Sequence, residues 1–357
     1  MNPKNYIKGR GAQQNTDNRF LQHSFELRDD FLEFCRLEGE EAESNKTTYI
    51  PIFPKTIVNK VESPDVGMQY SMNPYQGCEH GCVYCYARNT HEYWGYSAGL
   101  DFERKILIKK SAPELLEAKI KHKNWKAQTI VLSGNTDCYQ PAEREYEITR
   151  KCLEVFLKYR HPVGIITKNA LVLRDLDLLK ELSRYGLVGV YISVTSLSEK
   201  TRRLLEPRTA SIQKRLKTIQ TLSENDIPVN AMLAPMIPGI NSHELLPLAK
   251  AVADHGASSF GLTVVRLNGA IGQLFSDWLR KAMPDRAEKV RHQIQDCHGG
   301  TVNDSRFGTR TRGEGKIAEQ IHHMAQLAKK KYFRDKSFPT LNTELHEQYK
   351  DGQLKLF

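Results

Sequence analysis

The chain has 357 residues, enough for one large domain with extensions or for two domains. Hydrophobic residues make up 39%, which can build a substantial core, and the formal net charge of +10 either favours polyanionic partners or serves solubility alone. No apolar run is long enough to cross a membrane, and the first ten residues are polar and basic without a signal-like apolar stretch, so the expected location is the cytoplasm.

Residues 1–24 carry Lys4, Lys8, Arg10 and Arg19 around Gly9-Arg10-Gly11. This basic, poorly periodic arm is either a loose tail or a segment folded back over the domain. Residues 25–44 turn acidic, with Glu26, Asp29, Asp30, Glu33, Glu38, Glu40, Glu41 and Glu43, and read as a solvated, partly helical linker. Arm and linker together occupy 1–46. The stretch 47–60, TTYIPIFPKTIVNK, is β-rich, and its prolines at 51 and 54 suit edge strands. Residues 67–75 are expected to form a strand leading into a cysteine-rich loop, with Gly77 where the backbone must bend.

Beyond that loop, short apolar runs recur at 129–132, 163–166, 187–194, 229–233 and 259–265. Between them, Ile148, Cys152, Val155, Phe156 and Tyr159 share one face of a helix predicted over 143–159, and further helices are predicted over Leu171–Leu182 and Ile212–Leu222. Alternating buried strands and helices predict a parallel α/β sheet of about six strands over 47–270, and pattern alone leaves a partial barrel, a full barrel and an open sheet all possible. Residues 271–357 form a basic, helical extension. Ile317, Ile321, Met324 and Ala328 fall at helical spacing, so 315–332 reads as an amphipathic helix packed on the core.

The chemistry centres on Cys78–Cys85, CEHGCVYC. Three thiols at spacings of three and two residues can hold three irons of a cubane cluster and leave the fourth iron open for chemistry. Cys82 and Cys85 also suit zinc, with His80 or a distant histidine completing the site, but no second ligand pair follows: Cys35, Cys138, Cys152 and Cys297 are scattered singly. An odd number of cysteines without a secretory signature argues against disulfides.

The spacing C-x3-C-x2-C, with Tyr84 as an aromatic before the last cysteine, resembles the radical S-adenosylmethionine (SAM) superfamily. The strings CEHGCVYCYAR (78–88), TDCYQPAE (136–143) and LEPRT (205–209) resemble the bacterial group related to spore photoproduct lyase, also called DNA repair photolyase-like, over roughly residues 45–270. The resemblance implies a partial (β/α)6 TIM-like barrel with an N-terminal arm and a C-terminal helical extension. It implies a 4Fe–4S cluster on Cys78, Cys82 and Cys85, and reductive cleavage of SAM to methionine and a 5′-deoxyadenosyl radical. An electron donor such as flavodoxin or ferredoxin follows from that chemistry.

Ligands of parallel α/β folds sit at the carboxyl edge of the sheet. The resemblance makes Gly134, Asn135 and Asp137 the segment that holds the methionyl amino group, and Tyr84 a neighbour of the adenine. From residue type, Lys168 and Arg208 are candidates for the methionyl carboxylate, and the Ser193 and Thr195 hydroxyls for the ribose. Photoproduct lyases return a hydrogen atom from a cysteine near this strand end. In this chain Gly134 aligns there and Cys138 follows Asp137, so Cys138 is the catalytic candidate, against its reading as a small buried hydrophobe. Tyr86, Tyr93, Trp94 and Tyr96 are either packing or a base-stacking surface, with packing the preferred reading.

The last five residues, Gln353 to Phe357, resemble the peptide with which bacterial replication and repair proteins dock on the sliding clamp. Three functions are carried forward. They are a radical SAM lyase or related enzyme of DNA repair or base modification, a radical SAM enzyme on RNA, protein or a small molecule, and a zinc-stabilised nucleic-acid-binding protein without catalysis.

Overall fold

The computed structural model describes residues 6–21, Leu37 and 46–350. The acidic linker, apart from Leu37 and Lys46, and the terminal peptide Gln353–Phe357 lie outside the described residues. Ten strands follow in order: β1 Thr48–Pro51, β2 Val58–Lys60, β3 Tyr70–Met72, β4 Tyr75–Gln76, β5 Lys105–Ile108, β6 Ile130–Leu132, β7 Val163–Thr167, β8 Val188–Ser193, β9 Val229–Met232 and β10 Phe260–Gly261.

The main sheet has seven strands in the order β10-β9-β8-β7-β6-β3-β2. Six of them, β3 and β6 to β10, are parallel, and β2 closes one edge as an antiparallel hairpin partner of β3. This is the expected partial barrel, with the expected number of parallel strands. β6, β7 and β8 read as nearly continuous apolar runs because both faces are buried. A second sheet, β1-β5-β4, sits beside it, and β1 with its Pro51 is an edge strand as its prolines predict.

The predicted helix 143–159 is broken in two, Glu143–Tyr146 and Ile148–Lys158, by Glu147 in the left-handed region (φ 51°). The cause is Glu143, whose buried carboxylate accepts from the backbone N–H groups of Thr149 (2.9 Å) and Arg150 (3.3 Å) and so caps the second helix with an anion. Leu171–Leu182 likewise splits into a 3-10 turn, Ala170–Asp175, and a helix, Leu176–Arg184. Gly315–Tyr332 forms as predicted, and its buried Ala318, Ile321, Ala325 and Ala328 pack on the helix Leu245–Asp254. Burying Ile321 alone contributes roughly 1.5–3 kcal/mol.

A second core lies under the cysteine loop. Cys82, Val83 and Tyr84 pack there with Leu205, Val265 and the helices Ala270–Ala282 and Ala287–Asp296. The arm folds back over the same loop. Gly11 lies so close that a Cβ there would sit 1.7 Å from the Gly81 carbonyl oxygen. The N–H groups of Gly11 (3.2 Å) and Ala12 (2.8 Å) donate to the buried Glu103 carboxylate, which also pairs with Arg88 at 2.5 Å.

Candidate active site

The loop Cys78–Cys85 runs from β4 into the 3-10 segment Tyr86–Trp94. Its backbone is pinned from all sides. Cys78 N donates to Phe102 O (2.8 Å), Glu79 N to Gln140 Oε1 (3.0 Å) and Val83 N to Leu205 O (3.0 Å). Arg88 Nε donates to Cys82 O at 3.0 Å. Cys78 and Cys82 are buried and Cys85 is half-buried.

Burial pushes the Cys78 thiol up, and the nearby Asp137 and Cys82 push it further. Burial pushes Cys82 up to about 12, against the pull of Lys168. Crowded, buried thiols of this kind resist ionisation until a cation displaces their protons, which is what metal coordination does. The donor set therefore fits an iron–sulfur cluster. Among the described residues, no three His, Cys, Asp or Glu side chains are grouped to hold a single metal ion.

The strand ends converge on this loop. Asp137, after β6, is the joint. Its Oδ1 accepts from Thr167 Oγ1 (2.8 Å) and Tyr139 N (2.9 Å), and its Oδ2 accepts from Lys168 N (2.8 Å) and meets His80 Nδ1 at 3.2 Å. Burial raises its pKa, but His80 and these donors outweigh it and hold the carboxyl at about 2. The chain's own groups thus meet both carboxylate oxygens, and Asp137 ties the cysteine loop to β7. His80 completes the tie, with Nε2 3.2 Å from Asn169 Nδ2. The sequence reading weighed His80 only as a zinc ligand. Its place between the first two cysteines was the available signal.

Glu206 forms a second joint. Its buried carboxylate accepts from the Tyr84 hydroxyl, from Thr195 Oγ1 (2.9 Å) and from Arg215 Nη2 (2.6 Å). Burial opposes its charge, yet Arg215 and Lys168 bring its pKa down to about 2. Sequence reasoning quoted Glu206 only as part of a motif and missed Arg215, which also holds Ser193 O at 2.9 Å. Thr195, 1% exposed, commits its hydroxyl hydrogen to Glu206, and Ser193 is buried two residues before it.

Lys168 carries its ammonium near Cys82 and Glu206, which raise its pKa against the effect of burial. Of the carboxylate candidates it is the one without an ion pair within the chain's described residues. Arg208 instead faces Glu79 at 3.6 Å, on the wall of a cavity of about 640 Å³ shared with Arg144, Asn169 and Lys214. Gly134 accepts the Tyr86 hydroxyl through its carbonyl oxygen. A Cβ at Gly134 would meet Ser71 Cβ at 2.7 Å, so no thiol fits there without moving Ser71. Asn135 is exposed, its N–H donating to Asn73 Oδ1 at 2.8 Å. Cys138 is 0% exposed within the main core, its thiol kept neutral by burial. That is the setting of a buried small hydrophobe.

The aromatics depart from expectation in part. Tyr86 (49%) and Trp94 (42%) are exposed; Tyr93 (68%) is exposed too but stacks on Phe20 of the arm at 4.8 Å, and Tyr96 is half-buried against His91.

Comparison with known proteins bears on this site. The radical SAM superfamily model matches residues 72–252. An uncharacterized protein of Mycobacterium tuberculosis (strain ATCC 25618 / H37Rv) is 30% identical over 250 residues, covering 68% of this chain and 73% of that protein. An uncharacterized protein of Methanocaldococcus jannaschii is 32% identical over 197 residues, covering 55% of this chain and 71% of that protein. In fold, the chain is similar to spore photoproduct lyase complexed with dinucleoside spore photoproduct, with a TM-score of 0.55, 16% identity and 81% of each chain covered. A spore photoproduct lyase double mutant with bound AdoMet and dinucleoside spore photoproduct gives a TM-score of 0.57 at 14% identity, covering 85% of this chain and 91% of that one. The chain belongs to the radical SAM superfamily, whose enzymes work with a 4Fe–4S cluster and S-adenosylmethionine.

Proposed function

We propose that this enzyme acts on nucleic acid, in DNA repair or base modification. The observation that carries the reading is the surface beside the cysteine loop: Tyr86 and Trp94 stand exposed on the segment that leaves Cys85, and Tyr93, also exposed, stacks on Phe20 of the arm. Exposed rings on a basic chain suit stacked bases and a phosphate backbone. The fold shared with spore photoproduct lyase, which was solved with a dinucleoside photoproduct, supports the same substrate class.

In this reading Cys78, Cys82 and Cys85 hold the cluster. When bound, cluster and SAM supply a 5′-deoxyadenosyl radical that abstracts a hydrogen atom. The chain's own part is to orient and to exclude water. Lys168 meets the methionyl carboxylate. Asp137 and His80 keep the loop in register with β7. The arm, through Gly11 and Glu103, seals the loop from above. Cys138 serves packing, and Ser71 crowds Gly134, so the reaction does not use a thiol donor at this strand end. Superfamily membership replaces the zinc-stabilised reading.

Electrons come from a flavodoxin or ferredoxin. The terminal peptide Gln353–Phe357 docks on a sliding clamp in this proposal, and its deletion is expected to remove clamp binding and leave SAM cleavage intact. No described helix is long and apolar enough to cross a membrane, in keeping with a cytoplasmic site of action.

The deciding experiment follows deuterium into 5′-deoxyadenosine from labelled DNA, RNA and protein under reducing, anaerobic conditions. Transfer from DNA or RNA supports the reading. Transfer from protein alone replaces it with the second one carried from the sequence.

A further inference from the structure

The open edge of the barrel is bridged by residues 302–312. Leu267 N donates to Val302 O (2.9 Å) and Val264 N to Thr311 O (2.8 Å), which fixes the segment to the chain leaving β10. At its other side Gly308 N donates to Asp65 Oδ1 (2.6 Å), and Arg310 pairs with the same carboxylate, so the segment also grips the β2–β3 hairpin. The two ends of the sheet are thereby joined through this segment, by backbone bonds at one side and the Asp65 carboxylate at the other, rather than by a ladder.

Arg266 sits within this bridge and is the exception in it. Arg310 has Asp65, and Arg306 has Asp304 and Glu314. Arg266 is half-buried and has no ion pair among the described residues. Its only hydrogen bond there runs from Nη1 to the Asp304 carbonyl oxygen at 3.3 Å. A guanidinium has five N–H donors, and no Arg266 nitrogen is buried without a partner, so the donors it does not spend on Asp304 face solvent, where a ligand can take them. Burial lowers the Arg266 pKa, with Arg310 acting in the same direction, while Asp65, Tyr86 and Asp304 oppose. Both acids are already committed to other cations. Val265, next to Arg266, packs in one core with Cys82, Val83, Tyr84 and the half-buried Cys85, and Tyr86 directly follows Cys85. On the outer side Phe307 is 62% exposed, with the Arg310 guanidinium 4.2 Å over its ring.

We propose that Arg266 is a phosphate subsite at the barrel mouth, which seats a phosphodiester of the nucleic-acid substrate while adjoining bases stack on Tyr86 and Phe307. The inference rests on the nucleic-acid reading above and names where that substrate is gripped. A fork of parallel N–H donors matches a phosphate's oxygens, and the backbone on either side of Arg266 is fixed by Val265 N to Met236 O and Leu267 N to Val302 O.

The test uses the full chain with its cluster reconstituted, and a fluorescein-labelled oligonucleotide, single-stranded and duplex, in anisotropy titrations across a salt series. Arg266→Gln is expected to weaken binding about tenfold and to flatten the plot of log affinity against log salt by about one charge. Arg266→Lys keeps the slope and loses part of the affinity. Iron content and SAM affinity stay at the wild-type level in both. Unchanged oligonucleotide affinity in Arg266→Gln, with the wild type binding, overturns the subsite and leaves the nucleic-acid reading standing. A fall in SAM affinity overturns it by assigning the anion to the methionyl carboxylate. If the wild type binds neither oligonucleotide, both readings fall.

Discussion

The two sides of the cysteine loop are built on opposite terms. Toward the sheet, the polar groups are spent on one another: Asp137 on His80 and Thr167, Glu206 on Tyr84, Thr195 and Arg215, Glu103 on Arg88 and the arm. Toward the barrel mouth, Tyr86 and Phe307 are exposed and Arg266 has no ion pair among the described residues. A satisfied buried network holds a shape, because any missing partner is costly in low dielectric. Unspent groups are what a ligand can use. The sealed side therefore positions the thiols, and the open side is where a substrate meets the enzyme.

The comparison breaks most sharply at the thiols themselves. Cys78→Ala, Cys82→Ala and Cys85→Ala are each expected to abolish both iron retention and 5′-deoxyadenosine formation. Iron analysis and chromatography after anaerobic reconstitution check this. A variant that keeps a full cluster and cleaves SAM removes its cysteine from the ligand set.

Next comes the buried pair Glu206–Arg215. Removing one partner strands the other charge, so Arg215→Met is expected to cost about 3–5 kcal/mol in urea unfolding. A loss below about 1 kcal/mol would mean that water reaches the pair and that this side is not sealed.

Acid probes the sealed side in a graded way. His91 is buried with neither ring nitrogen hydrogen-bonded, and burial lowers its pKa from 6.5 to about 4. The folded pKa lies below the unfolded one, so the unfolded chain takes up the proton first. Stability is complete above about pH 6.5 and falls as the pH drops toward 4, by up to about 3 kcal/mol from this group. The urea midpoint should fall between pH 7 and pH 5, and His91→Phe should flatten that fall. An identical pH profile in the variant would show that His91 is hydrated.

What the sequence made legible follows the same division. The six parallel strands were readable because β6, β7 and β8 are apolar runs flanked by periodic helices. The three thiols were readable because their spacing is local. The partners of Asp137 and Glu206 were not. His80 and Asp137 stand 57 positions apart, and the Tyr84–Glu206 bond spans 122 positions, so no local pattern encodes them. The arm was legible as basic, but its burial depends on Gly11 meeting Gly81, a contact that only the folded chain defines. Packing was the preferred reading of the aromatics and holds for Tyr96 against His91 and Tyr93 against Phe20, while Tyr86 and Trp94 stand exposed because composition does not say which side of a short helix faces solvent.

Trp94 gives the smallest effect and the finest discrimination. It ends the segment that leaves Cys85 and is 42% exposed, so Trp94→Ala removes little packed surface. If the open side is a stacking surface, the variant should lose less than about 0.5 kcal/mol of stability, as exposed positions usually do. It should also lose about 1–3 kcal/mol of oligonucleotide binding, the range for one stacked base. Urea unfolding and anisotropy on the same preparation read both. If the ring instead serves packing, the order reverses: stability drops and binding holds. That reversal would turn the end of this segment into a continuation of the sealed side and confine any stacking surface to Tyr86 and Phe307.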